Sequence, residues 1–529
     1  MSDFAVGSDV SASVRSATLT NRALVAFTSF LMFASSALLA LHLRPAPAAL
    51  LLGACVGAMV LIARAPSCDG LLDEPIQRNR LAVAVAFAAA IFLLGGQLHL
   101  LHTPLDWRIR DAVLGDLVTT GFPSAYDYKG VDYVTRAPLG MYMLPALVGR
   151  AFGLYAAHVA LFAQNSLFLG AVFYLIATIG HGFRHVVVMV LLAGCSALGI
   201  VLVMVGEMPL TLGRLLYIGF DSWNPHFQYS ASLVQFFWVP NHALPGWWLA
   251  MLLLLLARRQ LDEATVAVSI GGALFWSPLA ILPAALWIVL RIAANFRVSL
   301  TSARLWAVAA VAVGFIPVAA YMVIGAETID HGLSSDREEF WLLYIVFILA
   351  AFVPVGYIAL YRRYVPSADR GLLIFSLILL VALPLGRFGP ANDLVMRGSI
   401  SALTIVAFCF GSVLLDPARR GTFARYLGAL VLGLCAPSAA VELTRAAVFQ
   451  RYPISNCSLF EANAALAGED APSNYAVDRR TMPAWLMNSD GATHRPVDVR
   501  QCWPDFGYGV DPTFSPGVSG KTVPKADSR

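Results

Sequence analysis

Long apolar runs separated by short polar segments recur along nearly the whole chain. A helix of about 20 apolar residues crosses about 30 Å of hydrocarbon at roughly 1.5 Å per residue. On that measure, spans are predicted near 21–42, 46–63, 81–101, 155–180, 185–205, 239–257, 265–278, 279–292, 305–325, 340–361, 371–385, 399–415 and 426–448. Nothing alternates with the period of a transmembrane barrel. The pattern predicts an all-α polytopic membrane protein with about thirteen transmembrane helices. At Trp276-Ser277-Pro278 the pattern reads either as a kink in one helix or as a boundary between two. The first run is too long for a cleaved signal peptide, so it is kept as a helix.

Arginine placement orients these spans and chooses between the two readings. With the amino terminus inside, Arg64, Arg78, Arg80, Arg184, Arg258, Arg259, Arg291, Arg297, Arg304, Arg362, Arg363, Arg370, Arg419, Arg420 and Arg425 all fall in inner loops. That is the bias expected of cytoplasmic loops, and only two helices within 265–292 preserve it. The outer segments are then 102–154, 206–238, 326–339, 386–398 and the tail from Phe449. The chain divides into an amino-terminal segment with an added hairpin (1–80), a transmembrane core (81–448) and a small outer carboxy-terminal domain (449–529).

Composition agrees with this class. The chain is 58% hydrophobic and 13% charged, with mean hydropathy +0.71, which excludes an ordinary soluble protein. The net charge of +4 serves as an orientation signal and gives no reason to expect nucleic acid. The Ala- and Arg-rich, Lys-poor usage points to a bacterial inner membrane, with the tail in the periplasm. Cys55, Cys195, Cys409 and Cys435 fall in spans and Cys68 in an inner loop, whereas Cys457 and Cys502 share the outer tail. In an oxidising compartment those two are predicted to pair. Neither CxxC nor HExxH spacing occurs, so no metal ligands are assigned.

The first outer loop carries the densest chemistry. From Trp107 to Val118, Trp107, Val113, Leu114, Leu117 and Val118 share one side of a helical wheel, with Arg108 and Asp116 opposite, which predicts a helix lying on the membrane surface. Arg110 and Asp111 break the stripe. Residues 138–149 form a second apolar piece, too broken by Pro and Gly to span, read as a surface or re-entrant helix. Asp106 suits a helix N-cap, Asp111 a surface ion pair with Arg108, and Asp116 a solvated position. The chemical alternative is that Asp106 or Asp111, at the hydrocarbon edge with Arg110 beside them, takes a proton from an acceptor hydroxyl.

The later outer loops add polar groups. The loop before Trp238 is aromatic, which fits an interfacial belt as well as a sugar face, and includes His226. Asn241 and His242 begin a span, where polar side chains are costly and face a cavity. Arg387 and Arg397 flank a Gly/Pro-shaped turn holding Asn392 and Asp393. Outer arginines run against the orientation bias; a phosphate is one reason for them, and snorkelling to headgroups is the other. Asn392 or Asp393 also suits the cap of the following helix.

Taken together, the many helices, the acidic first outer loop with surface helices, the basic outer loops and the outer tail resemble the GT-C superfamily of polyprenyl-phosphate-dependent glycosyltransferases. Protein O-mannosyltransferases and the aminoarabinose transferases of lipid A belong to it. Those families carry an Asp or an Asp-Glu pair in this loop; here Asp106 and Asp111 stand in Asp-Trp-Arg-Ile-Arg-Asp without an adjacent acidic pair. The resemblance implies inverting transfer of a sugar from a polyprenyl-phosphate donor to an envelope glycan, lipid or protein on the outer face. It implies Asp106 as first-choice base and Asp111 as second, Arg110, Arg387 and Arg397 as phosphate binders, and His226, Asn241, His242, Asn392 and Asp393 as cleft lining. No cofactor follows beyond the donor substrate, a divalent metal is left open, and membrane lipids are the other partners. Two alternatives are a polymerase of lipid-linked polysaccharide and a flippase that moves a lipid-linked substrate without chemistry.

Overall fold

The computed structural model describes residues 19–66, 70–192, 216, 224, 226–336, 339–389, 391–418, 422–467, 474–487, 492–498 and 502–503. Most of these are helical. Five helices are long and apolar enough to cross a membrane, or up to eight if each of three bent pairs is one span. The bends have a common cause. The second halves, Ile316–Val323, Val353–Leu360 and Pro437–Val448, each carry a proline in their first turn, where the missing N–H is harmless but the preceding helix is interrupted. The protein is therefore a helical, membrane-embedded one. Shorter apolar helices, Glu263–Leu274, Leu282–Ala294 and Ile400–Leu415, cover further predicted spans. A break around Trp276-Ser277-Pro278 separates the first two of these.

Helices α1 (Asn21–Ala40), α2 (Pro45–Ala63) and α3 (Arg78–Leu94) open the bundle. The third stops short of its predicted end. Gly95-Gly96 lets the chain turn, and Gly96, Leu98 and His99 all take positive φ, so His99 lies in a tight turn past the helix. Of the predicted span 185–205, only the start is described, as part of a helix Phe183–Leu191. Most of the aromatic loop before Trp238, Cys68, Cys195 and the end of the tail lie outside the described residues.

The helices have two chemically different ends. At one, arginines pair singly with acids: Arg258 with Asp369 (2.6 Å), Arg304 with Asp262 (2.7 Å), Arg22 with Asp73 (3.1 Å) and Arg291 with Glu263. At the other end lies a four-stranded sheet. Strands β1 (Ser124–Tyr128) and β2 (Val131–Thr135) form a hairpin whose turn, Lys129-Gly130, has positive φ at both residues, the geometry favoured between twisted strands. Between β2 and β1's other neighbour the chain spans most of its length: with β3 (His331–Leu333) and β4 (Gly386–Phe388) forming a separate pair, β5 (Ala476–Asp478) adds antiparallel to β2 and β6 (Thr493–Arg495) parallel to β1. A division at 449 thus cuts across one sheet. Phe460 seals the joint, packing against Tyr126, Tyr128 and Tyr133 with ring centroids 4.8–5.1 Å apart.

Beneath the sheet run α4 (Asp106–Thr119), α5 (Gly140–Phe152) and α6 (Leu154–Ile179). The predicted helix in the first loop is present as α4, but it has no solvated face: Trp107 and every residue from Arg110 to Leu117 are buried. The tail covers what the wheel leaves polar. Tyr452, Ala462 and Trp503 pack against Ala112, and Arg108 lies 3.9 Å over the Tyr452 ring.

Candidate functional site

The site is built on α4 because its polar positions face protein instead of water. Leu105 is already helical, so Asp106 is the first helical residue and makes no capping bond. The expected N-cap is not formed; the carboxylate, 45% exposed, accepts instead from Arg110 at 3.3 Å. One turn on, the buried Arg110 donates also to Asn241 and, at 3.5 Å, to the Tyr142 hydroxyl. Asn241 opens the helix Pro240–Ala257, where its amide nitrogen lies 3.2 Å from His242 Nε2, and His242 Nδ1 lies 2.7 Å from Ser277 in the break after Leu274. The directions are fixed by the donors. Arg110 can only donate, so Asn241 Oδ1 accepts and its NH2 donates to Nε2, which leaves Nδ1–H to donate to Ser277. His242 is thereby held as the neutral Nδ1–H tautomer, and its role is to orient Asn241.

Asp393 and Arg397 join this group from the short helix Asp393–Gly398. They pair at 2.9 Å, each about a quarter exposed or less. Burial raises the Asp393 carboxyl above its ordinary range, and the Asp106 charge raises it further against the opposing pull of Arg397 and Arg110. Asp393 therefore lies within electrostatic reach of Asp106, Arg110 and Arg397. His242 senses both arginines. Tyr475, from the tail, completes the surround of Arg110.

Other expected members fall elsewhere. Arg387 bonds Asp330 (3.4 Å) and the Leu333 carbonyl (2.5 Å), across the β3–β4 pair, because the ladder sets it opposite Gly332. Asn392, in the left-handed region at φ 47°, occupies the cap position of the short helix without a side-chain capping bond. Its amide instead ties Gly386 and His226 carbonyls at 3.1 Å each and accepts from the Phe388 N–H. Asn392 and His226 thus hold the turn together. The Cys457–Cys502 disulfide is present, with Cα atoms 5.7 Å apart.

Asp111 and Asp116 both depart from their surface readings. Asp116 is buried; it accepts from Tyr126 Oη (2.7 Å), the Leu459 N–H (2.8 Å) and Arg495 Nε (3.0 Å), so it staples α4 to the hairpin and the tail. Burial lifts its carboxyl to about 6, against the downward pull of those three donors. Asp111, also buried, faces two histidines, with His99 Nε2 at 3.0 Å and His158 Nδ1 at 3.9 Å. Sequence reasoning missed both histidines. Their signal was position: each sits at the edge of an apolar run, where a polar side chain has a cost to offset.

Compared with known proteins, the chain matches no family model, no curated protein and no solved structure.

Proposed function

We propose that this protein is a membrane glycosyltransferase of the GT-C kind, moving a sugar from a polyprenyl-phosphate donor to an acceptor hydroxyl. The observation that carries the reading is the half-exposed carboxylate of Asp106 paired with Arg110, with the Asp393–Arg397 pair brought beside them. Asp106 is the base: the acceptor oxygen attacks the anomeric carbon from the face opposite the leaving group and its proton passes to Asp106. The bond to the phosphate oxygen breaks with its electron pair going to the departing polyprenyl phosphate. Arg110 and Arg397 stabilise that charge, as fixed donors do where water is excluded. Asn241 and Tyr142 hold Arg110 in place, and Asp393 does so for Arg397. Asp111, buried beside His99 and His158, remains the second choice of base.

In this reading the sheet end faces outward, the arginine end faces the cytoplasm, and the chain crosses a bacterial inner membrane about thirteen times.

Full-length protein in liposomes, supplied with a panel of radiolabelled polyprenyl-phosphate hexoses and envelope extract, tests it. Asp106→Asn keeps an oxygen acceptor for Arg110, so binding of a short-chain polyprenyl phosphate should persist while transfer is lost. Wild-type turnover in that variant would overturn the assignment.

A further inference from the structure

We infer that His99, Asp111 and His158 form a binding site for a divalent transition-metal ion, with Zn2+ as the fitting occupant. The three come from the turn after α3, from α4 and from α6, and one ligand atom of each lies within 4.8 Å of the others. Side chains of all three are at most 7% exposed.

Two features point to a cation. The first is the state of His99. Its Nδ1 lies 2.8 Å from the Tyr452 carbonyl, which only accepts, so Nδ1 carries the proton. In a neutral ring, Nε2 is then a lone pair, directed at a carboxylate oxygen 3.0 Å away. Two acceptors facing each other repel unless a positive charge joins them. Imidazole ligands typically donate their other N–H to a backbone carbonyl or carboxylate, which is the arrangement His99 has.

The second is Asp111 Oδ1, a buried carboxylate oxygen with no hydrogen-bond partner, as is His158 Nε2. Leaving a buried charge so unsolvated is costly. Its separation from His158 Nδ1, 3.9 Å, is too long for a hydrogen bond. Ligands about 2.0–2.2 Å from a tetrahedral zinc sit about 3.4 Å apart. Here His99 Nε2 lies 3.0 Å from Asp111 Oδ2, and His158 Nδ1 lies 3.9 Å from Oδ1. One ligand atom of each residue lies within 4.8 Å of the others, so small side-chain shifts would close the set around an ion. Two imidazoles and one carboxylate are a nitrogen-rich set, suited to zinc and poorly suited to magnesium or calcium. The ion would clamp α3, α4 and α6 together and, through Tyr452, draw in the tail. This site stands apart from the proposed transfer: Asp111 would serve the metal, Asp106 the acceptor.

The test uses purified full-length protein. Elemental analysis should find equimolar metal; after chelation, Zn2+ should restore it and raise the thermal midpoint, and Co2+ should give the visible bands of a tetrahedral site. Asp111→Asn and His158→Gln should each weaken Zn2+ binding by more than about tenfold. If the first does not fold, the second suffices, because it leaves the His99–Asp111 contact in place. Wild-type protein that neither retains zinc nor gains stability from it would make the cluster a buried imidazolium–carboxylate pair and overturn the site. So would zinc binding that both variants leave unchanged, or a preference for Mg2+.

Discussion

The two ends of the helix bundle handle charge in opposite ways. At the arginine end, Arg22, Arg258, Arg291 and Arg304 each meet one acid, and among the described residues no carboxylate or guanidinium atom there is buried without a partner. At the sheet end, Arg110 is shared among Asp106, Asn241 and Tyr142, while Arg110 Nε, Arg397 Nε and Asp111 Oδ1 are buried without hydrogen bonds. Matched pairs satisfy a fold. Groups held out of balance need a reason in function, since each unsatisfied buried polar atom costs about 1–3 kcal/mol. Disturbing the first end should therefore change stability, and disturbing the second should change chemistry.

The largest effect belongs to Asp106→Asn. Loss of a general base lowers transfer by about 10²–10⁴-fold. Because the side chain is half exposed and its oxygen still accepts from Arg110, the thermal midpoint should hardly move. A large fall in midpoint with unaltered turnover would erase the contrast between the ends.

Its counterpart is Asp369→Ala. Asp369 is fully buried and meets Arg258 bidentately, through Nε at 3.1 Å and Nη2 at 2.6 Å. Removing it leaves a guanidinium without its charge partner, a change that costs about 3–5 kcal/mol in buried pairs. Denaturation in detergent should show that loss, with transfer per folded molecule unchanged. An activity defect larger than the stability defect would mean the two ends are coupled.

Cys457→Ser sharpens the comparison inside the sheet end. The bridge closes a segment with a sequence separation of 45, and removing such a constraint typically costs about 2–4 kcal/mol. Limited proteolysis should detect the loosened tail, and with it the loss of Trp503 packing beside Ala112. Equal protease resistance in variant and wild type would show that the sheet alone holds the tail.

What the sequence made legible follows the range of the forces involved. Spans are local: a long apolar run is a helix whatever lies beside it, and all thirteen predicted runs meet helices where they are described. The helical period also located α4 and marked Arg110 and Asp111 as anomalies. Their surroundings were not legible. Asp116 reads as solvated on the wheel because the group that covers it, Leu459, arrives from far along the chain. His99 and His158 meet Asp111 only through the turn at Gly95-Gly96 and the approach of α6. Arg387 misled for the converse reason: an outer arginine flags an anion, and here that anion is Asp330 on the neighbouring strand's approach.

The smallest effect concerns Asp116, and pH separates its two roles as buried charge and as staple. Its carboxyl rises from 3.8 to about 6 on folding, so between those values the folded chain binds the extra proton. Stability from this group is complete below the unfolded value and is lost as pH rises through about 6, by roughly 1–3 kcal/mol. Asp116→Asn cannot titrate, and its single oxygen can satisfy the Tyr126 and Leu459 donors or Arg495, but not all three. The variant should thus be less stable at low pH through the lost bond. Its deficit should then shrink as pH rises from about 4 to about 6, as the wild-type side chain takes on the cost of a buried charge. Thermal midpoints of both proteins across that range give the difference curve directly. A deficit that grows with pH would mean that Tyr126, Leu459 and Arg495 more than offset burial, and that the staple works best when charged.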